Sequence, residues 1–258
     1  MKILVCLKQV PHKDARLDVR SDAKWIQEEN IKFEINVYDT YALEEALRIR
    51  DRGEGEVVVA CIGPDRVQQS LRTALGMGAD RAIHIWDEGL ASTDSLGIAK
   101  TLAAAAKSEN FDLVLMGLMA DDSNFGITGP FLAELLGMPH VTSVVKAEFQ
   151  NGELQVEREL EGGTLEVVSL PRPCLLAVQT GINEVRYASL KGIMQAKKKP
   201  LDKKTLADLG LSAEDVAPRV TIDKIYTPPK GEGAEILQGS PDEVAQQIVT
   251  KVKELGLL

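Results

Sequence analysis

The chain has 258 residues, 44% of them hydrophobic and 27% charged, with a formal net charge of -9. That composition allows one large core or two modest ones without disulfides, and it argues against a phosphate-backbone binder, whose usual mark is a basic face. No run approaches the about eighteen apolar residues of a membrane span, and the opening MKILVCLKQV reads as a short buried strand without a leader, so the expectation is a cytoplasmic protein that neither binds nucleic acid nor inserts into a membrane.

From residue 1 to 145, short apolar runs alternate with segments of helical period. KILVCL, EVVVACIG, RAIHIW, DLVLMG and VTSVV are too continuously apolar to be half-exposed strands. Cys6, Cys61 and Cys174 all lie in apolar runs and read as reduced strand cysteines; no Cys/His spacing suggests zinc. In YALEEALRIRDRG, Leu43, Ala46 and Leu47 share a face and Glu44 and Arg48 pair at i,i+4. Asp39 or Thr40 stands where a cap is needed, and Gly53 ends the helix. In PDRVQQSLRTALGMG, Val67, Leu71, Ala74 and Leu75 form the stripe, Pro64 suits the first turn and Gly76 is the expected stop. STDSLGIAKTLAAAA and GITGPFLAELLGMP repeat the pattern. The order predicts an α/β fold: a doubly wound, mostly parallel, Rossmann-like sheet of the adenine nucleotide α-hydrolase kind, with helices on both faces.

After Val145 the period changes to two. QNGELQVERELEGGTLEVVSL, broken at Asn151-Gly152 and Gly162-Gly163, predicts antiparallel hairpin additions to the sheet, and PRPCLLAVQ returns to a buried strand. The predicted domains are 1–200, a nucleotide-binding domain, and 201–258, an arm with little core of its own. That arm contains a strand-like RVTIDKIYTP and a final amphipathic helix with Val244, Ile248 and Val252 in line.

Ligands of open α/β sheets lie beyond the carboxyl ends of the strands. The best candidate there is GLMADDSNFGITGP, residues 117–130. Gly117, Gly126 and Gly129 permit close backbone approach, and Asp122, Ser123, Asn124 and Thr128 are polar. A helix start near Gly126 would face a phosphate. The loop matches neither the P-loop nor the dinucleotide glycine pattern, so a plain strand-to-helix turn is the competing reading. Asn36 and Asp39 read as caps first and ligand contacts second. His12, His84 and His140 lie on separate segments and read as structural. No catalytic constellation emerges. Residues 186–200, RYASLKGIMQAKKKP, carry Arg186, Lys191, Lys197, Lys198 and Lys199 without an acid, interleaved with Tyr187, Leu190, Ile193 and Met194.

GINEVRYASLKGIMQAKKKP and VERELEGGTLEVVSLPRPCLLAV resemble the β subunit of electron transfer flavoproteins. KILVCLKQVP, NVYDTYALEEALRIRD, TALGMGADRAIHI and TGPFLAELLGMP fit that family in order, so the resemblance spans nearly the whole chain. It implies an electron carrier subunit and not an enzyme. Its partner would be an α subunit that holds most of the redox FAD, and electrons would pass from acyl-CoA dehydrogenases of fatty acid oxidation to electron transfer flavoprotein-quinone oxidoreductase. It further implies a nucleotide in the β subunit: AMP in the ordinary carriers, a second FAD in the electron-bifurcating branch. Carried over, that site falls on Cys6, Asn36, Val37, Tyr38, Asp39 and Ile62. It continues along Gly117, Asp122, Ser123, Asn124, Phe125, Gly126, Ile127, Thr128 and Gly129. The family's partner-recognition loop maps onto Asn183 to Met194, with Leu190 as apolar anchor among Arg186, Tyr187, Lys191, Ile193 and Met194, and the arm would pack on the α subunit. DDSNFGITGP keeps only the Gly-Pro of the bifurcating loop, and Lys13 replaces an aromatic found near the flavin in some ordinary members; AMP is favoured. A universal-stress-like ATP-binding protein would share the sheet and glycine loop, but not the tail or residues 183–200.

Overall fold

The computed structural model describes all residues except Glu54, Asn151, Gly152, Glu232 and Leu258. In chain order the elements are β1 (Lys2–Leu7), β2 (Gln9–Pro11), β3 (Phe33–Ile35), α1 (Val37–Asp51), β4 (Glu56–Ile62), α2 (Val67–Met77), β5 (Arg81–Ile85), α3 (Ser95–Lys107) and β6 (Leu113–Gly117). There follow α4 (Thr128–Leu136), β7 (His140–Gln150), β8 (Glu153–Glu159), β9 (Leu165–Leu170), β10 (Cys174–Val178), α5 (Leu190–Ala196), β11 (Leu201–Lys204) and α6 (Pro241–Glu254).

The continuously apolar runs form the middle of a nine-stranded sheet, where both faces are covered and alternation has no use. Its order is β11-β5-β4-β1-β6-β10-β7-β8-β9. It is parallel from β11 to β7 and antiparallel across β8 and β9, as the sequence predicts. Alternate side chains of β1 enter opposite layers. Ile3, Val5 and Leu7 meet Leu43, Ala46 and Leu47 of α1 and Leu71, Ala74 and Leu75 of α2. Leu4 and Cys6 meet Ala99, Leu102 and Ala103 of α3 and Leu132 and Ala133 of α4. Each fully buried leucine contributes about 1.5–3 kcal/mol, so the two layers fix the sheet and, with it, the loops at its carboxyl edge.

Local details depart from the sequence reading. Gly78, at φ 143, ends α2, while Gly76 lies inside the helix, where a Cβ would meet Ala188 Cβ at 3.5 Å. Asn36 precedes α1, and neither Asp39 nor Thr40 caps it: Asp39 sits in the first turn and Thr40 Oγ1 donates back to Val37 O at 2.6 Å. Gly162 and Gly163 take φ of 72 and 76 in the turn between β8 and β9. The expected Asn151-Gly152 turn lies outside the described residues, although β7 and β8 on either side of it pair antiparallel. RVTIDKIYTP forms no strand; Val220, Ile222 and Tyr226 are exposed. Alternation alone, without a partner strand, does not make one.

The chain divides into two units, one of residues 1–17 and 28–223, the other of 18–27 and 224–258. The larger unit thus runs past residue 200. β11 pairs in parallel with β5, and Leu206 and Val216 are buried in the layer of α3 and α4. These anchors are too widely spaced among charges to read as core from sequence. Within the smaller unit, Val19 bridges Ile26 and Ile225 N donates to Ala23 O at 2.8 Å. There α6 opens on a capping box between Ser240 and Glu243, and none of its residues is buried. No helix among the described residues is long and apolar enough to cross a membrane.

Candidate functional site at the strand reversal

The chain leaves β1 towards β4 and β5, then returns to β6 on the other side of β1. Connections that diverge from neighbouring strands open a crevice beyond their carboxyl ends. Asp39 stitches that crevice together. Its Oδ2 accepts the Lys8 N–H just past β1 at 2.7 Å and its Oδ1 accepts the Gly117 N–H at the end of β6 at 2.9 Å. Burial away from water pushes the Asp39 carboxyl up to about 7, against the downward pull of those two N–H groups. Both oxygens being engaged and the residue only 4% exposed, Asp39 shapes the crevice from behind.

Asn36 spends its amide on the loop after β6. Its Nδ2 donates to Met119 O at 2.8 Å and its Oδ1 accepts from Asp121 N at 3.0 Å, which is why it gives α1 no side-chain cap. Asp121 returns the contact by accepting the Val37 N–H at 3.3 Å. Lys8 reaches over with Nζ 2.6 Å from Asp122 Oδ1 and 3.3 Å from Ser123 Oγ. Gly117 has no alternative: a Cβ there would lie 2.5 Å from both Asp39 Oδ1 and Tyr38 Cβ. Further on, Ser123 N and Asn124 N both donate to Ala120 O, and Asn124 and Gly126 turn the chain at φ 52 and 64. The helix α4 then starts at Thr128, with Ile127 supplying no side-chain cap. Gly129 packs its backbone on the sheet; a Cβ would sit 3.2 Å from Met116 Sδ. Phe125 and Ile127 are exposed on this loop.

The structure thus brings Asn36, Val37, Tyr38 and Asp39 against the loop 117–129, beside the carboxyl ends of the strands that carry Cys6 and Ile62. The Cys6 thiol is buried, and burial first, with the Asp39 charge second, pushes its pKa far up, so it is inert. Burial likewise pushes Cys61 up to about 12 and Cys174 up to about 11. His84 is buried with Nε2 2.7 Å from Gly63 O. Sequence reasoning missed Lys8, whose position directly after the first strand was the available signal. The adjacent Asp121 and Asp122 each have a fixed partner, the Val37 N–H at the start of α1 and Lys8 Nζ.

Residues 183–194 lie apart, along the later turns of α1. The expected basic loop contains α5, capped by Ser189, whose Oγ accepts the Gly192 N–H at 3.0 Å. Tyr187, Leu190 and Met194 are 97%, 84% and 73% exposed, and Ile193 is half exposed. Lys191 is exposed too, whereas the Arg186 guanidinium is committed to Glu44 and Asp51.

The architecture and crevice define the class: a doubly wound α/β protein with a crevice where the strand order reverses. Residues 24–209 match the family model described as "Electron transfer flavoprotein domain". The chain is 39% identical to the electron transfer flavoprotein subunit beta of Bradyrhizobium diazoefficiens over 100% of both chains. Identity is 37% to that of Methylophilus methylotrophus over 98% of each chain, and 33% to that of Homo sapiens over 99% of this chain and 98% of the relative. The chain belongs to the electron transfer flavoprotein family, as a β subunit. It is therefore an electron carrier subunit, not an enzyme, and an α subunit is its implied partner.

Proposed function

We propose that the heterodimer of this chain with its α subunit takes electrons from acyl-CoA dehydrogenases and delivers them to a membrane quinone oxidoreductase, from a cytoplasmic location. FAD is held mainly by the α subunit and supplies the redox chemistry. The crevice of this chain holds AMP as a structural nucleotide. The loop from Gly117 to Gly129 supports a phosphate there: it is glycine-rich, clasped by Asn36, Asp39 and Lys8, and enters α4 without a side-chain cap. Lys8 offsets Asp122 and the Val37 N–H engages Asp121, so the two acids do not face the anion unpaired. The same loop, DDSNFGITGP, departs from the bifurcating pattern, which favours AMP over a second FAD.

The observation that carries the electron-transfer reading is the exposure of Leu190, 84% accessible beside Tyr187 and Met194. An exposed leucine contributes nothing to the free fold; filling a partner's pocket with it is worth about 1.5–3 kcal/mol, roughly tenfold to hundredfold in affinity. Transient docking by an apolar plug beside exposed basic residues suits a carrier that must bind and release quickly. Leu190→Ala should leave folding and the flavin spectrum of the heterodimer intact while slowing its reduction by an acyl-CoA dehydrogenase in stopped flow. Parental kinetics at every dehydrogenase concentration would overturn the docking role.

A further inference from the structure

The docking segment does not lie loosely on the surface; α1 grips its near end. Asn183 Nδ2 donates to Tyr41 O and Glu45 Oε2, both at 3.1 Å, and Arg48 Nη2 donates to Glu184 O at 3.1 Å. Arg186 donates its Nε to Glu44 Oε2 at 2.8 Å, its Nη2 to Glu44 Oε1 at 3.1 Å and its backbone N–H to Glu44 Oε2 at 3.2 Å; Nη1 reaches Asp51 Oδ2 at 2.9 Å. Positions 41, 44, 45, 48 and 51 recur every three or four residues, so one stripe of α1 makes all these contacts.

The far end is gripped by α2. Arg72 Nη1 donates to Ala196 O at 2.6 Å and Lys199 O at 2.8 Å, while Lys199 Nζ donates to Leu75 O at 3.0 Å and Ala79 O at 2.5 Å. Gly192 lies so close to Gly76 O that a Cβ would collide with it. Between the two grips, Tyr187, Leu190, Ile193 and Met194 face outward.

We propose that Glu44 is a positioning residue for docking: its carboxylate fixes Arg186, and Arg186 fixes the height and angle at which Tyr187 and Leu190 are presented. The inference rests on the reading of 186–194 as a docking surface. Glu44 is 2% exposed, yet it bears a charge with both oxygens engaged by Arg186 and Arg48. For stability alone an apolar side chain would serve such a position as well. What the carboxylate adds is a planar, two-pronged seat for one guanidinium. A segment ordered before encounter loses less freedom on binding. Arg186 and Lys199 therefore act within the chain, which leaves Lys191, Lys197 and Lys198 as the exposed charges a partner meets.

The test compares Glu44→Gln, Arg186→Lys and Leu190→Ala as αβ heterodimers, reading hydrogen exchange of amides 186–196 and affinity for an acyl-CoA dehydrogenase. The first two should raise that exchange and weaken affinity, each on the order of tenfold, with exchange in β4 and β6 unchanged. Leu190→Ala should weaken affinity and leave exchange as it was. Parental exchange in both Glu44→Gln and Arg186→Lys overturns the positioning role, as does raised exchange with parental affinity. A Leu190→Ala heterodimer of parental affinity overturns the docking reading itself, and exchange still decides whether Glu44 orders the segment. Should Glu44→Gln fail to assemble, Arg186→Lys, a change at a partly exposed side chain, carries the same two readouts.

Discussion

Single contacts at the crevice carry separable consequences. A methyl group on Gly117 would strike Asp39 Oδ1 and Tyr38 Cβ, so Gly117→Ala should cost about 1–3 kcal/mol by overpacking and abolish nucleotide retention. Gly126→Ala meets only Leu118 O at 3.6 Å and bears the strain of φ 64, about 1–2 kcal/mol, so it should weaken retention less. Thermal unfolding and the nucleotide content of the two variants distinguish a steric requirement from a backbone one. Asp39 makes a prediction about pH. Its pKa is raised from 3.8 to about 7 in the folded chain, so its stabilising contribution is complete below about pH 4 and is lost as pH rises through about 7. Relative to Asp39→Asn, the parent should therefore lose a few kcal/mol between pH 4 and pH 8 in denaturant unfolding. A difference that stays flat across that range contradicts a buried, reluctantly ionised carboxyl. Neither role of Asp39 was legible locally, because its partners Lys8 and Gly117 are 31 and 78 residues away; a carboxylate near a helix start reads as a cap until the strands are in place.

At the scale of elements, the strands with two covered faces were legible because burial on both sides forces an unbroken apolar run, as in EVVVACI of β4 and CLLAV of β10. β11 was not, since LDKK is polar and its place beside β5 is set by backbone pairing. The acids of α1 show the same limit. Glu44 and Arg48 form the predicted pair at 2.9 Å, but the burial of Glu44 depends on Arg186 arriving from 142 residues away. α5 was hidden in its charges, and its seat on α2 depends on the close approach of Gly192 to Gly76. Gly192→Ala should lift α5 from α2 and expose the segment to limited proteolysis between Ser189 and Lys198, with the sheet intact. Cleavage no faster than in the parent would show that α5 is held without that backbone contact.

For the whole molecule, residues 224–258 belong with residues 18–27 to the smaller of the two units. None of the α6 residues is buried, and Ile236, Leu255 and Leu257 are exposed. An amphipathic helix that leaves Ile248 and Val249 exposed and Val244 and Val252 only half-buried fits the proposal of an arm that packs on the α subunit. Deleting residues from Thr227 onward should leave the main unit folded, with its circular dichroism preserved, and should prevent stable association with the α subunit; a truncated chain that still forms a tight heterodimer would assign the arm elsewhere. What this chain's crevice holds once the partner is in place decides between AMP and a second FAD. The most direct measurement is the nucleotide released when the purified αβ complex is denatured, resolved by chromatography and counted against protein. The expected content is one FAD and one AMP per heterodimer, with the AMP lost from the Gly117→Ala complex while the FAD remains. Two FAD per heterodimer, or AMP retained undiminished in the variant, would contradict it.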